Sequence, residues 1–153
     1  MLIDALIDPK RPLARALDAL QPAFALATRL YVSWVFLKSG WLKLSDWDST
    51  LALFEYEYRV PLLTPTLAAI AGTAGELLFP ALLIIGLFGR FSALGLQAVN
   101  VLAVVSYAHV LFQEGFAAAI GQHYLWGYIL LVLIVHGPGS WSLDHWLYRR
   151  RGR

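Results

Sequence analysis

The sequence predicts an all-α integral membrane protein, a four-helix bundle preceded by a short amphipathic helix at the interface. Three observations carry this expectation. Residues of the AVILMFWYC set make up 59% of the 153 positions and charged residues only 14%, against roughly 25% charged in soluble domains. Four apolar runs, Gln21 to Leu44, Thr66 to Gly89, Phe91 to Phe112 and Phe116 to His136, each hold about 20 residues or more, enough to cross a hydrocarbon layer at about 1.5 Å per residue. Lysine and arginine gather at the ends of these runs instead of forming one solvated face. The net charge of +2 therefore gives no nucleic-acid footprint, and the lipid bilayer is the expected partner. The length allows a single domain over 1–153.

Ahead of the first run, Leu13, Leu17 and Leu20 fall at i, i+4 and i+7 among Arg11, Arg15 and Asp18, which predicts the interfacial helix, bracketed by Pro9, Pro12 and Pro22. The aspartates and prolines of this segment do not suit a cleaved signal peptide, so the first run is expected to be retained. Between the first two runs, the acidic, aromatic segment from Ser45 to Pro65 contains LALFEYEYRVPLL, expected as a half-helix or re-entrant piece resting on the bundle. Pro61 and Pro65 end any helix there before the second run. Gly121 and Gln122 interrupt the start of the fourth.

Lys10, Arg11, Arg15, Arg90, Arg149, Arg150, Arg151 and Arg153 all fall on one side if every run spans, opposite Asp46, Asp48, Glu55 and Glu57. Both termini are then cytoplasmic and the protein is a multi-pass inner-membrane protein. Trp41 and Trp47 at one end, with Trp141, Trp146 and Tyr148 at the other, fit interfacial aromatic belts.

Glu76 is the only ionisable residue between Pro65 and Arg90. An unpaired charge near the midplane costs on the order of 3 kcal/mol, so this carboxylate must be protonated, paired or hydrated. Pro80, four residues on, has no N–H to offer the Glu76 carbonyl, and Gly72, Thr73 and Gly75 let a neighbouring helix approach. Two readings stay open: a polar clamp between helices, or a proton-handling or ligand-binding group. Arg29 and Lys38, about 180° apart around the first helix, are the candidate ionic partners, one from each side. Lys43 falls at the outer boundary, where outward snorkelling accounts for it.

Gln97, Asn100 and Tyr107 share a broad face of the third run, as interhelical hydrogen bonding requires. His109 and His123 lie at similar depth. Two imidazoles at one level suit a haem, a metal or a proton relay, but no spacing motif supports ligation. His136 and His145 fall at the inner interface. There is no cysteine, which excludes disulfides and thiolate chemistry within the chain. Gly-rich phosphate loops, HExxH, CxxC and nucleophile elbows are also missing, so catalysis of the soluble type by this chain alone is not expected.

Arg29, Lys38-Ser39-Gly40, Lys43-Leu44, Gly75-Glu76-Leu77, Gly86, His136-Gly137-Pro138-Gly139 and Ser142-Leu143-Asp144, taken in this order, resemble the DoxX family from about Leu26 to Leu147. The resemblance implies a four-helix inner-membrane subunit, similar to the small membrane subunit of thiosulfate:quinone oxidoreductase, in a family also associated with oxidative-stress and thiol-linked complexes. Phe54-Glu55-Tyr56-Glu57-Tyr58 and Val60-Pro61-Leu62-Leu63 further resemble members that neighbour multinuclear iron oxidases and copper-buffering peptides. The missing cysteines depart from any thiol-exchanging scheme.

Two functions are therefore expected to compete. In the first, the chain is a quinone- or proton-linked subunit of a redox complex. Glu76 carries the proton, Arg29 or Lys38 tunes it, aromatic residues of the first and fourth runs form the cavity wall, and His109, His123 and Asn100 are the candidate cofactor-binding residues. In the second, it is a non-enzymatic anchor, assembly or export partner of a metal- or peptide-handling complex, docking through Glu55, Tyr56, Glu57 and Tyr58. Homo-oligomerisation is left open, and a small-solute transporter comes last because no inverted repeat is visible.

Overall fold

The computed structural model describes residues 12–151, and among them all regular structure is helical. Lys10, Arg11, Pro9 and Arg153 lie outside the described residues. The first helix, α1, runs from Pro12 to Ser45 without interruption. Residues 13–20 are therefore its opening turns and not a separate helix. Pro22 removes one backbone hydrogen bond without breaking the helix, and the Gln21 side chain bridges that exposed turn by donating to Asp18 Oδ1 at 2.8 Å.

A ten-residue helix, α2 (Trp47–Tyr56), occupies the acidic loop, its start capped by Asp46, which accepts from the Ser49 N–H at 3.1 Å. Phe54 of α2 is buried with Ala68 and Ala69, so the loop helix rests on the next long helix, α3 (Pro65–Ile85). Thr64 caps α3, and Pro65 sits where its missing N–H costs nothing. The helix ends at Gly86, whose φ of +70° places it in the left-handed region, with Leu87 N–H returning to the Leu82 carbonyl at 3.0 Å.

The third apolar run divides into α4 (Gly89–Ser106) and α5 (Ala108–Leu111). The break has a visible cause. The Ser106 carbonyl accepts from the backbone N–H of Arg59 in the outer loop at 2.9 Å, diverting it from helix continuation. The fourth run gives α6 (Ala117–His136), and α7 (Leu143–Arg151) closes the chain.

The long helices pack in a ring, α1 most extensively on α3, then α4 on α6, α3 on α4, and α6 back on α1. Val32, Phe36, Leu83, Leu96, Leu130 and Leu133 form the shared core. Many large apolar side chains face outward instead, among them Phe24, Trp34, Leu78 and Leu131, as lipid contact requires. Helices α3, α4 and α6 are each long and apolar enough to cross a membrane.

At the end carrying Arg90, the structure is tied across the chain by polar bonds. Arg29 is fully buried and donates from Nη1 to the carbonyls of Leu83 and Ile84 at 3.1 and 3.2 Å, and from Nη2 to that of Trp141. Asp144 accepts from the N–H groups of Phe88 and Gly89 at 2.8 and 2.7 Å, capping α4 from far along the chain, while its own N–H donates to the Gly86 carbonyl at 3.0 Å. Gly86 is the junction: a Cβ there would lie 2.5 Å from Arg29 Nη1 and 2.9 Å from the Ser142 Cα. Gly86→Ala is therefore expected to cost about 2–4 kcal/mol through strain and displacement of this lock. Gly121→Ala, at a helical site with open space around it, is expected to leave stability unchanged or raise it by up to about 1 kcal/mol. Thermal unfolding of both variants in the same detergent checks the contrast.

Candidate functional site

A carboxylate among apolar helices is tolerated where a cation and hydrogen-bond donors meet it. Glu76 meets Lys43. The ammonium donates to Glu76 Oε1 and Oε2 at 2.8 and 2.7 Å and to Ser39 Oγ at 2.9 Å. The two oxygens of one carboxylate lie too close together for separate N–H bonds, so one N–H is shared between them and a second goes to Ser39. The side chains of Lys43 and Glu76 keep only 13% and 10% of their exposure.

The outward snorkelling expected for Lys43 is thus corrected, and so is the choice of partner between Arg29 and Lys38. The reason is helix direction. Cα–Cβ bonds tilt toward a helix N-terminus, so the Lys43 side chain on α1 points back along the helix toward Ser39. Gly40 completes the arrangement, since a Cβ there would lie 2.9 Å from the Glu76 Cβ. With no side chain between them, α1 and α3 approach closely at the level of the carboxylate. Arg29 is committed to the carbonyls at the far end of α3, and Lys38 is exposed.

The pair opens on a cavity of about 370 Å³ between α1, α3, α4 and α6, within the roughly 300–1,000 Å³ range of small-molecule sites. Phe36, Trp126, Tyr58 and Tyr107 supply aromatic wall, and Lys38 and His123 also line it. On the other side of the pair a smaller space of about 130 Å³ is bounded by Phe54, Gly72 and Val99, and Tyr58 borders both. Burial first, then the Glu76 charge, pushes the Tyr58 phenol up to about 12, so its hydroxyl stays protonated at physiological pH. A larger recess of about 730 Å³ at the opposite end is lined by Arg90, His136 and His145, far along the helices from this pair.

Asn100 performs the interhelical bonding expected of it. Its Nδ2 donates to the His123 carbonyl at 3.0 Å, and its Oδ1 lies 2.8 Å from His123 Nδ1. Trp126 packs edge-on against the imidazole with centroids 5.0 Å apart and against Phe36 at 5.8 Å. His109 takes a different place, exposed on α5 and edge-on to Tyr107 at 5.6 Å. The candidate residues Glu76, Lys38, His123 and Asn100 thus gather at or beside one cavity, Arg29 and His109 stand apart from it, and Lys43, Tyr58 and Trp126 join it. The signal for Lys43 was present in Ser39-Gly40 and the run of α1. Phe36 and Trp126 are aromatic residues of the first and fourth runs, the source expected for the cavity wall.

The proposed docking quartet is divided. Glu55, Tyr56 and Glu57 are exposed, Glu57 also accepting from the Tyr107 hydroxyl at 3.2 Å. Tyr58, however, packs between Phe54 and Tyr107 with centroids at 4.9 and 5.1 Å.

The DoxX family model matches residues 24–109, which includes Arg29, Lys43 and Glu76. An uncharacterized protein of Haemophilus influenzae is 31% identical over 126 residues, covering 78% of this chain and 80% of its own length. No solved structure matches the chain.

Removing one member of the pair leaves the other unpaired. Lys43→Met and Glu76→Gln are each expected to cost about 3 kcal/mol, somewhat less where cavity water relieves the remaining charge. The double variant is expected to recover more than half of the summed loss, as measured by a double-mutant cycle of thermal or chemical unfolding in detergent.

Proposed function

The chain belongs to the DoxX family, and on that premise we propose that it is a quinone-linked, proton-handling subunit of an inner-membrane redox complex. In this reading the four long helices all cross the bilayer as a bundle, with α1 the fourth span. The inner side carries Arg90 and Arg149 to Arg151, the outer side the acidic loop, and both termini are cytoplasmic.

The observation that carries the reading is a buried ion pair facing a cavity of about 370 Å³ with aromatic walls. A planar ring enters between Phe36, Trp126 and Tyr107, while its polar substituents meet Glu76, Tyr58 and His123. Charged groups inside a membrane protein mark ion or proton paths by default. Lys43 holds Glu76 in place, and Glu76 exchanges a proton with the ligand or with water in the cavity. Arg29, fully buried and bound to carbonyls, supports the fold of the α3 end and not the proton step.

A second reading is favoured by one observation. Tyr56 retains 79% of its exposure and Leu62 is fully exposed on the same outer loop, a surface suited to an anchor or assembly role with a metal- or peptide-handling partner. Glu55, Tyr56 and Glu57 carry that reading, because Tyr58 is packed within the chain. Substituting all three and measuring capture of a co-purifying chain separates it from the first.

Under the quinone reading, protein extracted in mild detergent is expected to carry an isoprenoid quinone, detectable by mass spectrometry and by its ultraviolet spectrum. Glu76→Gln is expected to insert into the membrane normally and to lose most of that quinone together with the activity of the complex. A fully active Gln variant would reduce Glu76 to a packing residue and overturn the proposal.

A further inference from the structure

The imidazole of His123 is held in one tautomer by atoms that admit no alternative. A backbone carbonyl only accepts hydrogen bonds, so the Asn100 atom facing the His123 carbonyl at 3.0 Å is the amide nitrogen. The amide oxygen is then the atom that faces His123 Nδ1 at 2.8 Å. An oxygen against a ring nitrogen at that distance requires the proton on nitrogen, which makes His123 an Nδ1–H donor. In the neutral ring the second nitrogen, Nε2, is left with its lone pair. Gly127 leaves room for this contact, since a Cβ there would come 3.3 Å from Asn100 Nδ2. Trp126, edge-on at 5.0 Å, holds the ring from another side.

His123 lines the cavity, and among the described residues no group of the chain hydrogen-bonds its Nε2. Glu76 adds carboxylate lone pairs to the same wall, with the Lys43 ammonium directed at Ser39 and at both Glu76 oxygens. Tyr58 and Ser39 contribute hydroxyls that either donate or accept, and Lys38 stands at the edge as a cation.

From the free acceptor at His123 Nε2 we infer that the cavity selects the hydroxyl-bearing form of its aromatic ligand, a quinol or related phenol, whose O–H donates to that nitrogen. The inference rests on the quinone-class reading given under Proposed function. A quinone carbonyl in the same place sets lone pair against lone pair, which forfeits a hydrogen bond and leaves a polar atom unsatisfied. Asn100 acts as a positioning residue: it touches the ring and fixes the tautomer, and the ring touches the ligand.

Two measurements on the full-length protein in lipid nanodiscs test this. The first is nitrogen NMR of protein labelled with ¹⁵N-histidine, with His123→Gln used to assign the signal. The Nδ1–H tautomer is expected for His123, and an Nε2–H signal overturns the inference whatever binds. The second is anaerobic calorimetric titration with duroquinol and with duroquinone. The quinol is expected to bind about tenfold more tightly, and Asn100→Leu is expected to bring the two affinities together by freeing the tautomer. Equal binding of both compounds to the unmodified protein overturns the preference while leaving the quinone-class reading intact. Failure of both to bind overturns that reading and the preference with it.

Discussion

The ion pair between Lys43 and Glu76 is the interaction on which the rest of the molecule turns. A carboxylate set among the apolar residues of α3 is stable only if a cation reaches it without opening the helix packing. Three features meet that requirement at once: Gly40 brings the backbones together, the lysine side chain runs back along its own helix, and Ser39 accepts a hydrogen bond from the ammonium. The most extensive packing in the structure, α1 on α3, lies along the same contact. The cavity is a consequence, because a charged pair cannot be covered by the close aliphatic packing that fills the level of Leu83, Leu96 and Leu130.

The two ends of the helices handle polarity differently. Near Arg90, charged side chains are bound to backbone: Arg29 to the carbonyls ending α3, Asp144 to the N–H groups beginning α4. Such bonds satisfy helix ends and join distant segments. Near Lys43, side chains meet side chains beside open space, with Tyr58, Tyr107, His123 and Trp126 around them. The first arrangement builds the fold; the second leaves polar side chains facing an open volume of about 370 Å³.

Much of this was legible in the sequence. The apolar runs placed α3 and α6 within a few residues of their observed limits, while α1 begins nine residues earlier, at Pro12, and α4 ends six residues earlier, at Ser106; the acidic loop contains the expected short helix, and Glu76 stood out as the lone ionisable residue of its run. Asn100 was rightly expected to bond across helices. What escaped depends on direction and on distant partners. Helical-wheel angles compare Cα positions and ignore the backward tilt of the side chain, which is why Lys43 was sent outward. Arg29 was matched to a carboxylate because carbonyls brought by Trp141, far along the chain, leave no periodic trace. The break at Tyr107 follows from Arg59 bonding Ser106, again a contact between remote segments. Pro22 looked like a boundary, but it removes a single backbone bond at an exposed turn, and α1 continues through it.

The proposed quinone-class ligand would account for the aromatic wall, the His123 acceptor and the ion pair together. The account stands on Glu76 being a carboxylate held by Lys43 in the membrane, and infrared difference spectroscopy of the protein in lipid bilayers at neutral pH, with Glu76→Gln subtracted, tests it most directly. The predicted difference is the loss of a carboxylate stretching band. Loss of a protonated carboxylic acid carbonyl band in its place would contradict the ion pair and the reading built on it.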